Sequence, residues 1–199
     1  MPQRDTYRPP TGFSVMPPII KNLLILNGLL FLAQFVASET LPPSSLMPQV
    51  LDYLVLHPPG VERALYLPAA DPSGFWPWQL VTYGFLHAGF WHIFFNMFIL
   101  WMFGVQIENT WGSKRFAIFY FTCIIGAGLT HLAFVDSPVI GASGAVFGVM
   151  LAFAMMFPNR PIYIYFMIPI KAKWLMLGLG VLELFYGFSG TQGSVANFA

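Results

Sequence analysis

Ser143 stands in Gly141-Ala142-Ser143-Gly144, at the head of an apolar run that continues to Phe157. His87, His92 and Asn96 interrupt a second apolar stretch between Phe85 and Met97. Titratable and strongly hydrogen-bonding groups are rare inside membrane helices and mark functional sites by default. A serine hydroxyl is a latent nucleophile. When it attacks a peptide carbonyl, the carbonyl oxygen becomes an oxyanion, and each donor aimed there is often worth ~3 kcal/mol. His92, Asn96 and the Ser143 backbone N–H are candidate donors. Gly141 and Gly144 relieve crowding around the serine and let backbone approach a substrate. Together these residue types point to hydrolysis within a membrane.

The elements that would hold them are membrane helices. The chain is 57% hydrophobic and 9% charged, with a mean hydropathy of +0.67. That composition implies one compact polytopic membrane domain. A net charge of +1 without a basic cluster gives no support to a nucleic-acid partner. The single cysteine, Cys123, excludes an intrachain disulfide and a cysteine metal cluster, and its apolar setting suits packing. Nothing calls for a cofactor or a metal. Residues 1–17 read as a polar, proline-rich cytoplasmic tail with no cleavable signal, and 18–199 as the membrane domain.

Apolar segments run over about 18–37, 85–105, 116–135, 142–157 and 174–188. A sixth begins near Val195, and the sequence stops at Ala199. A cytoplasmic N-terminus places Arg4, Arg8, Lys21, Lys114, Arg115, Arg160, Lys171 and Lys173 inside and only Arg63 outside. The positive-inside rule favours that orientation, in a multi-pass protein expected in a bacterial inner membrane. The long outer loop carries Phe75, Trp76, Trp78 and Tyr83, which suit the membrane interface. The inner stretch from Pro158 to Lys173 is too short to span and reads as an interfacial loop or short hairpin. His57 reads as a solvated loop residue and His131 as a structural or interfacial one near the outer end of the third helix. Glu183 lies in the fifth segment and needs a partner or water.

Depth links the two motifs. Ser143 precedes the helix-ending Pro158 by fifteen residues, or about 22 Å. His92 precedes Val105 by thirteen, or about 20 Å. The two side chains are therefore expected at one height on parallel helices, with Asn96 a turn below His92 and His87 above, nearer water. Each feature has a plainer reading. A lone membrane serine bonds back to its own helix, a lone histidine is structural or lines a channel, and an asparagine glues helices. Matched depth favours a catalytic site. Gly144 and Gly148 form a small face on which a neighbouring helix carrying a base would pack.

The pattern His87-x4-His92-x3-Asn96 with Gly141-x-Ser143-Gly144 resembles the rhomboid family of intramembrane serine proteases. The aromatic outer loop, Glu108 and Trp111-Gly112-Ser113 extend the resemblance over nearly the whole chain. It implies an all-α, six-helix rhomboid-like bundle. Ser143 would be the nucleophile, and His92, Asn96 and the Ser143 amide the oxyanion hole. His87, Gly141, Gly144 and Phe147 would support the site. Substrates would be transmembrane proteins in the lipid bilayer, cut near their outer ends, with the outer loop and fifth helix as a lateral gate.

The sequence departs from the family pattern in four places. Trp-Arg reads Trp78-Gln79. Glu-x-Arg reads Glu108-Asn109-Thr110. Phe147 lacks a hydroxyl. The family takes its general base, a histidine, from the sixth helix, and no histidine follows Ser143 here. The chain therefore reads as a rhomboid cut near the start of its sixth helix, and as defective in that form. The alternative is a non-catalytic rhomboid-like protein that binds membrane clients. A pore lined by His92 and Asn96 is disfavoured by the apolar inner halves of the helices.

Overall fold

A computed structural model describes residues 12–42, 45–60, 74–164 and 168–188. Among the described residues, three helices are long and apolar enough to cross a membrane: α1 (Pro18–Thr40), α4 (Phe90–Trp111) and α5 (Ser113–Phe134). Two shorter apolar helices, α6 (Ser143–Met156) and α7 (Ala172–Phe188), complete the bundle. The outer loop contributes α2 (Leu46–Leu54), the short α3 (Gln79–Thr82) and a 3₁₀ turn (Tyr83–Phe85). The inner stretch holds β1 (Pro161–Ile164) antiparallel to β2 (Ile168–Lys171), so a small two-stranded sheet accompanies the helices among the described residues.

The first turn of α1 shows how an apolar sequence places a polar contact. Pro18 opens the helix with its φ already suited to it, and Pro17 provides no side-chain cap. The free amides of that turn are met from another helix. Glu108 Oε1 accepts the Ile19 N–H at 3.0 Å and Oε2 accepts the Ile20 N–H at 2.9 Å. Ser113 Oγ donates to Oε1 at 2.7 Å. A carboxylate at a helix N-terminus satisfies orphan donors and complements the helix dipole. Asn109 adds to the anchorage, bonding both the N–H and the carbonyl of Ser14. Thus Glu108 and Asn109 fasten the chain entering α1 to the end of α4.

Helices α4 and α5 are separated by Gly112 alone, at φ +82°, where glycine bears no Cβ penalty. Helix α6 is the centre of the bundle and packs on α4, α5 and α7. Its Ala145, Val146, Val149, Met150, Ala152, Phe153 and Ala154 are buried, as expected for a helix apolar all round. With 14 residues it is about 21 Å long, shorter than the ~30 Å hydrocarbon core. Exposed Ile25, Leu29 and Leu32 on α1, and Trp91, Phe94 and Phe98 on α4, face outward, where lipid would lie.

The face made by Gly144 and Gly148 is occupied by α5, which corrects the expectation of a base-bearing neighbour there. A Cβ on Gly144 would overlap Ala127, and one on Gly148 would overlap Cys123 Sγ. These small residues let α5 approach closely, and they leave no room for a further helix at that contact.

Candidate active site

Two short segments meet above α6. Val139 pairs with Leu56 through both backbone groups, at 3.0 and 3.2 Å. Gly141 N–H donates to the Tyr83 carbonyl at 2.9 Å. The outer loop thus grips the strand that leads into Ser143 at two points. Tyr83 is buried, and its hydroxyl donates to the Ile124 carbonyl on α5 at 2.8 Å.

Ser143 is the first residue of α6. Thr40, Thr110, Thr122 and Thr130 each bond back to the carbonyl four residues earlier. Ser143 has no such helical turn behind it, and the Val139 carbonyl is already engaged by Leu56. The first helical bond of α6 runs from the Val146 N–H to the Ala142 carbonyl at 3.0 Å. The amides of Ser143, Gly144 and Ala145 therefore precede the ladder, at the positive end of the helix dipole.

Gly141 brings the serine and His92 together. A Cβ built on Gly141 would lie 2.8 Å from His92 Nε2 and 3.9 Å from Ser143 Oγ. The glycine has φ +126°, a conformation side-chain-bearing residues rarely adopt. The gap it leaves is where the imidazole sits. His92 Nδ1 accepts the Ala88 N–H at 3.3 Å. In the neutral ring the proton then resides on Nε2, the nitrogen facing the serine loop. Asn96 is buried one turn below, and its Nδ2 donates to the His92 carbonyl at 2.9 Å.

His87 lies in the loop before α4, off the helix, and is buried rather than near water. Its ring meets that of His92 edge-on, with centroids 5.1 Å apart, and its backbone N–H donates to Gln34 Oε1 on α1 at 3.0 Å. Gly144 faces α5, and Phe147 is half-buried on α6. His57 is buried, not solvated, and its Nε2 lies 3.3 Å from Asp52 Oδ1. His131 bonds the Ser137 carbonyl at the end of α5. The side chain of Glu183 and the start of the expected sixth helix lie outside the described residues.

A rhomboid domain model matches residues 75–199, more than half of the chain. This protein belongs to the rhomboid family. Among curated relatives, mitochondrial Rhomboid protein 1 of Saccharomyces cerevisiae is 33% identical over 94 residues, covering 44% of this chain and 27% of that protein. Rhomboid protease GluP of Bacillus subtilis is 40% identical over 76 residues, 38% of this chain and 15% of GluP. RHOMBOID-like protein 4 of Arabidopsis thaliana is 32% identical over 127 residues, 61% of this chain and 32% of the plant protein. The chain thus spans a third or less of the length of these relatives. Membership and the apolar helices make this a membrane protein of an intramembrane-protease family.

Two positions that depart from the rhomboid pattern have their own partners. Gln79 is fully buried, where its Oε1 accepts the N–H groups of His57 and Trp76 and its Nε2 donates to the Tyr53 carbonyl. One amide side chain thus ties three stretches of outer loop. At the other, Thr110 Oγ1 donates to the Gln106 carbonyl at 2.7 Å, and Glu108 serves α1 instead. Tyr83 and Ala88 were not legible as site residues, because each acts there through its backbone, which carries no sequence signal.

Proposed function

We propose that this rhomboid is an intramembrane serine endopeptidase that cuts transmembrane substrates near the membrane face closest to Ser143. The observation that carries the reading is the Gly141 gap, which Ser143 Oγ and His92 Nε2 both border. Ser143 Oγ attacks the scissile carbonyl carbon and forms the C–O bond. The oxyanion is met by His92 Nε2–H, Asn96 Nδ2–H and the Ser143 amide. The tautomer set by Ala88 supports His92 as donor rather than base, since Nε2 carries the proton. Collapse breaks the C–N bond, the amine leaves with a proton, and water then releases the acyl group.

Proton transfer requires a base that residues 144–199 do not supply as a histidine. The 199-residue chain alone is accordingly proposed to be defective. The described cations Lys21, Lys114, Arg115, Arg160, Lys171 and Lys173 belong to the segments at the end of the bundle opposite Ser143. Their position supports a cytoplasmic N-terminus and cleavage near the outer face, in keeping with a bacterial inner membrane. The test is cleavage of a model transmembrane substrate in vesicles by the full-length protein and by its Ser143→Ala variant. Ser143-dependent cleavage supports the reading. Binding of the substrate without cleavage favours a client-binding protein.

A further inference from the structure

The small sheet between α6 and α7 has no part in the proposed chemistry. Its register pairs Pro161 with Lys171, Ile162 with Ile170 and Tyr163 with Pro169. Successive side chains on a strand point to opposite faces. Ile162 and Ile170 are half-buried, and Ile162 packs against the core, whereas Pro161, Tyr163, Pro169 and Lys171 are exposed. One face therefore rests on the bundle and the other looks outward. Three cations gather at its base. The Ala172 N–H donates to the Arg160 carbonyl at 3.0 Å, and the Lys173 N–H to the Pro158 carbonyl at 3.2 Å. These bonds hold the backbone of Arg160 across from Lys171 and Lys173, and all three residues are exposed. Arg160 lies 5.6 Å over the Phe157 ring and donates to Gln106 Oε1 at 3.5 Å, while Lys173 Nζ lies 5.4 Å from the Trp174 ring. Those partners are neutral, and among the described residues no carboxylate pairs with any of the three cations. Between Glu108 and Glu183 the one acidic residue in the sequence is Asp136, beyond the far end of α5. Glu108 is committed to the first turn of α1. Glu183 stands ten residues along α7 from Lys173, about 15 Å away.

We propose that the outward face of this sheet, with Arg160, Lys171 and Lys173, binds the headgroups of anionic phospholipids. The three side chains bring donors and no acceptors. A phosphodiester brings acceptors and a negative charge, and a guanidinium can take two of its oxygens at once. Basic residues beside a membrane helix are drawn to anionic lipid over a range set by salt. Tyr163 and Trp174 are exposed beside them, and both residue types favour the headgroup level. A zwitterionic headgroup carries its own cation and competes poorly for the same site. A free phosphate lacks the acyl chains that hold a lipid against the helices. The inference requires a membrane protein and is independent of the protease reading.

The experiment counts lipids rather than turnover. Full-length protein in detergent is mixed with equal amounts of phosphatidylglycerol and phosphatidylcholine of matched chains, and the lipid it retains is measured by native mass spectrometry. Phosphatidylglycerol should be preferred. Arg160→Gln, Lys171→Gln and Lys173→Gln should each reduce that preference by about fivefold, and Lys173→Arg should keep it. Lys114→Gln combined with Arg115→Gln removes two cations at the same end of the bundle but off the sheet, and should leave most of the preference in place. Melting temperatures of the same samples show that each variant is folded. Phosphatidylglycerol should raise the melting temperature, and inorganic phosphate should not. Equal retention of the two lipids overturns the proposal, as does a preference untouched by the three glutamine substitutions. An equal loss in the Lys114 and Arg115 variant would assign the effect to the whole inner face and overturn the site. A matching rise with inorganic phosphate would make the ligand a soluble anion and overturn the lipid.

Discussion

Tyr83 holds Gly141 by its backbone while its side chain holds α5. The carbonyl takes the Gly141 N–H at 2.9 Å, and the hydroxyl reaches the Ile124 carbonyl at 2.8 Å. The serine loop is thereby referenced to a helix that carries none of the proposed catalytic groups. Tyr83→Phe removes only the second bond. It should lower thermal stability in detergent by about 1 kcal/mol and slow cleavage by a modest factor, with the pH profile unchanged. Unaltered melting in that variant would count against the hydroxyl as an anchor.

Gly141→Ala should be far more harmful. The new methyl has to occupy the place of the His92 ring, at a backbone φ of +126°. Displacing one oxyanion donor typically costs 10²–10³ in kcat. Labelling of Ser143 by a fluorophosphonate probe should fall along with cleavage. Wild-type labelling and turnover would remove Gly141 from the site.

His92→Ala and Asn96→Ala, made in the full-length protein, should each lower kcat by about 10²–10³ with little change in KM. That pattern marks interactions made in the transition state. A pure rise in KM would instead make these residues substrate-binding groups.

Glu108→Gln keeps the shape of the anchor at α1 and removes its charge. One carboxylate oxygen becomes an NH₂ group facing an amide donor, so one of the two bonds to Ile19 and Ile20 is lost. The expected loss is about 1–3 kcal/mol, read as a lower melting temperature. Activity per folded molecule should be retained. An unchanged melting temperature would show that the contact contributes nothing net.

The 199-residue chain should cleave at least 10²-fold more slowly than a version extended through a sixth helix bearing a histidine, the usual scale of general-base help. Equal, Ser143-dependent rates in the two forms would refute the need for that base.

The sequence made the long apolar helices and the hairpin legible because composition and proline placement determine them. The segment expected over 85–105 is a helix only from Phe90, since Gly89 and the 3₁₀ turn interrupt it. Ser143 and His92 were expected at one height from residue counting alone, and the structure brings both to Gly141. The burial of His57 and Gln79 was not legible. Their contacts join loop segments whose spacing follows no helical period. The occupant of the Gly144 and Gly148 face was equally hidden, because a small-residue stripe states how close a neighbour comes and not which neighbour it is.

The single-residue joint at Gly112 has a mechanical consequence. Helices α4 and α5 cannot slide past one another when one glycine links them, and Glu108 and Asn109 rivet α1 to the same end. Three long levers share one pivot, remote from the serine. At the far end the His87 backbone N–H ties the loop before α4 to Gln34 of α1, and a tilt of about 5° would move the tip of a 22-residue helix by only about 3 Å. That stroke is shorter than the roughly 4.7–4.9 Å spacing of paired strands, so the shared pivot holds the far ends too close for tilting alone to admit an extended polypeptide.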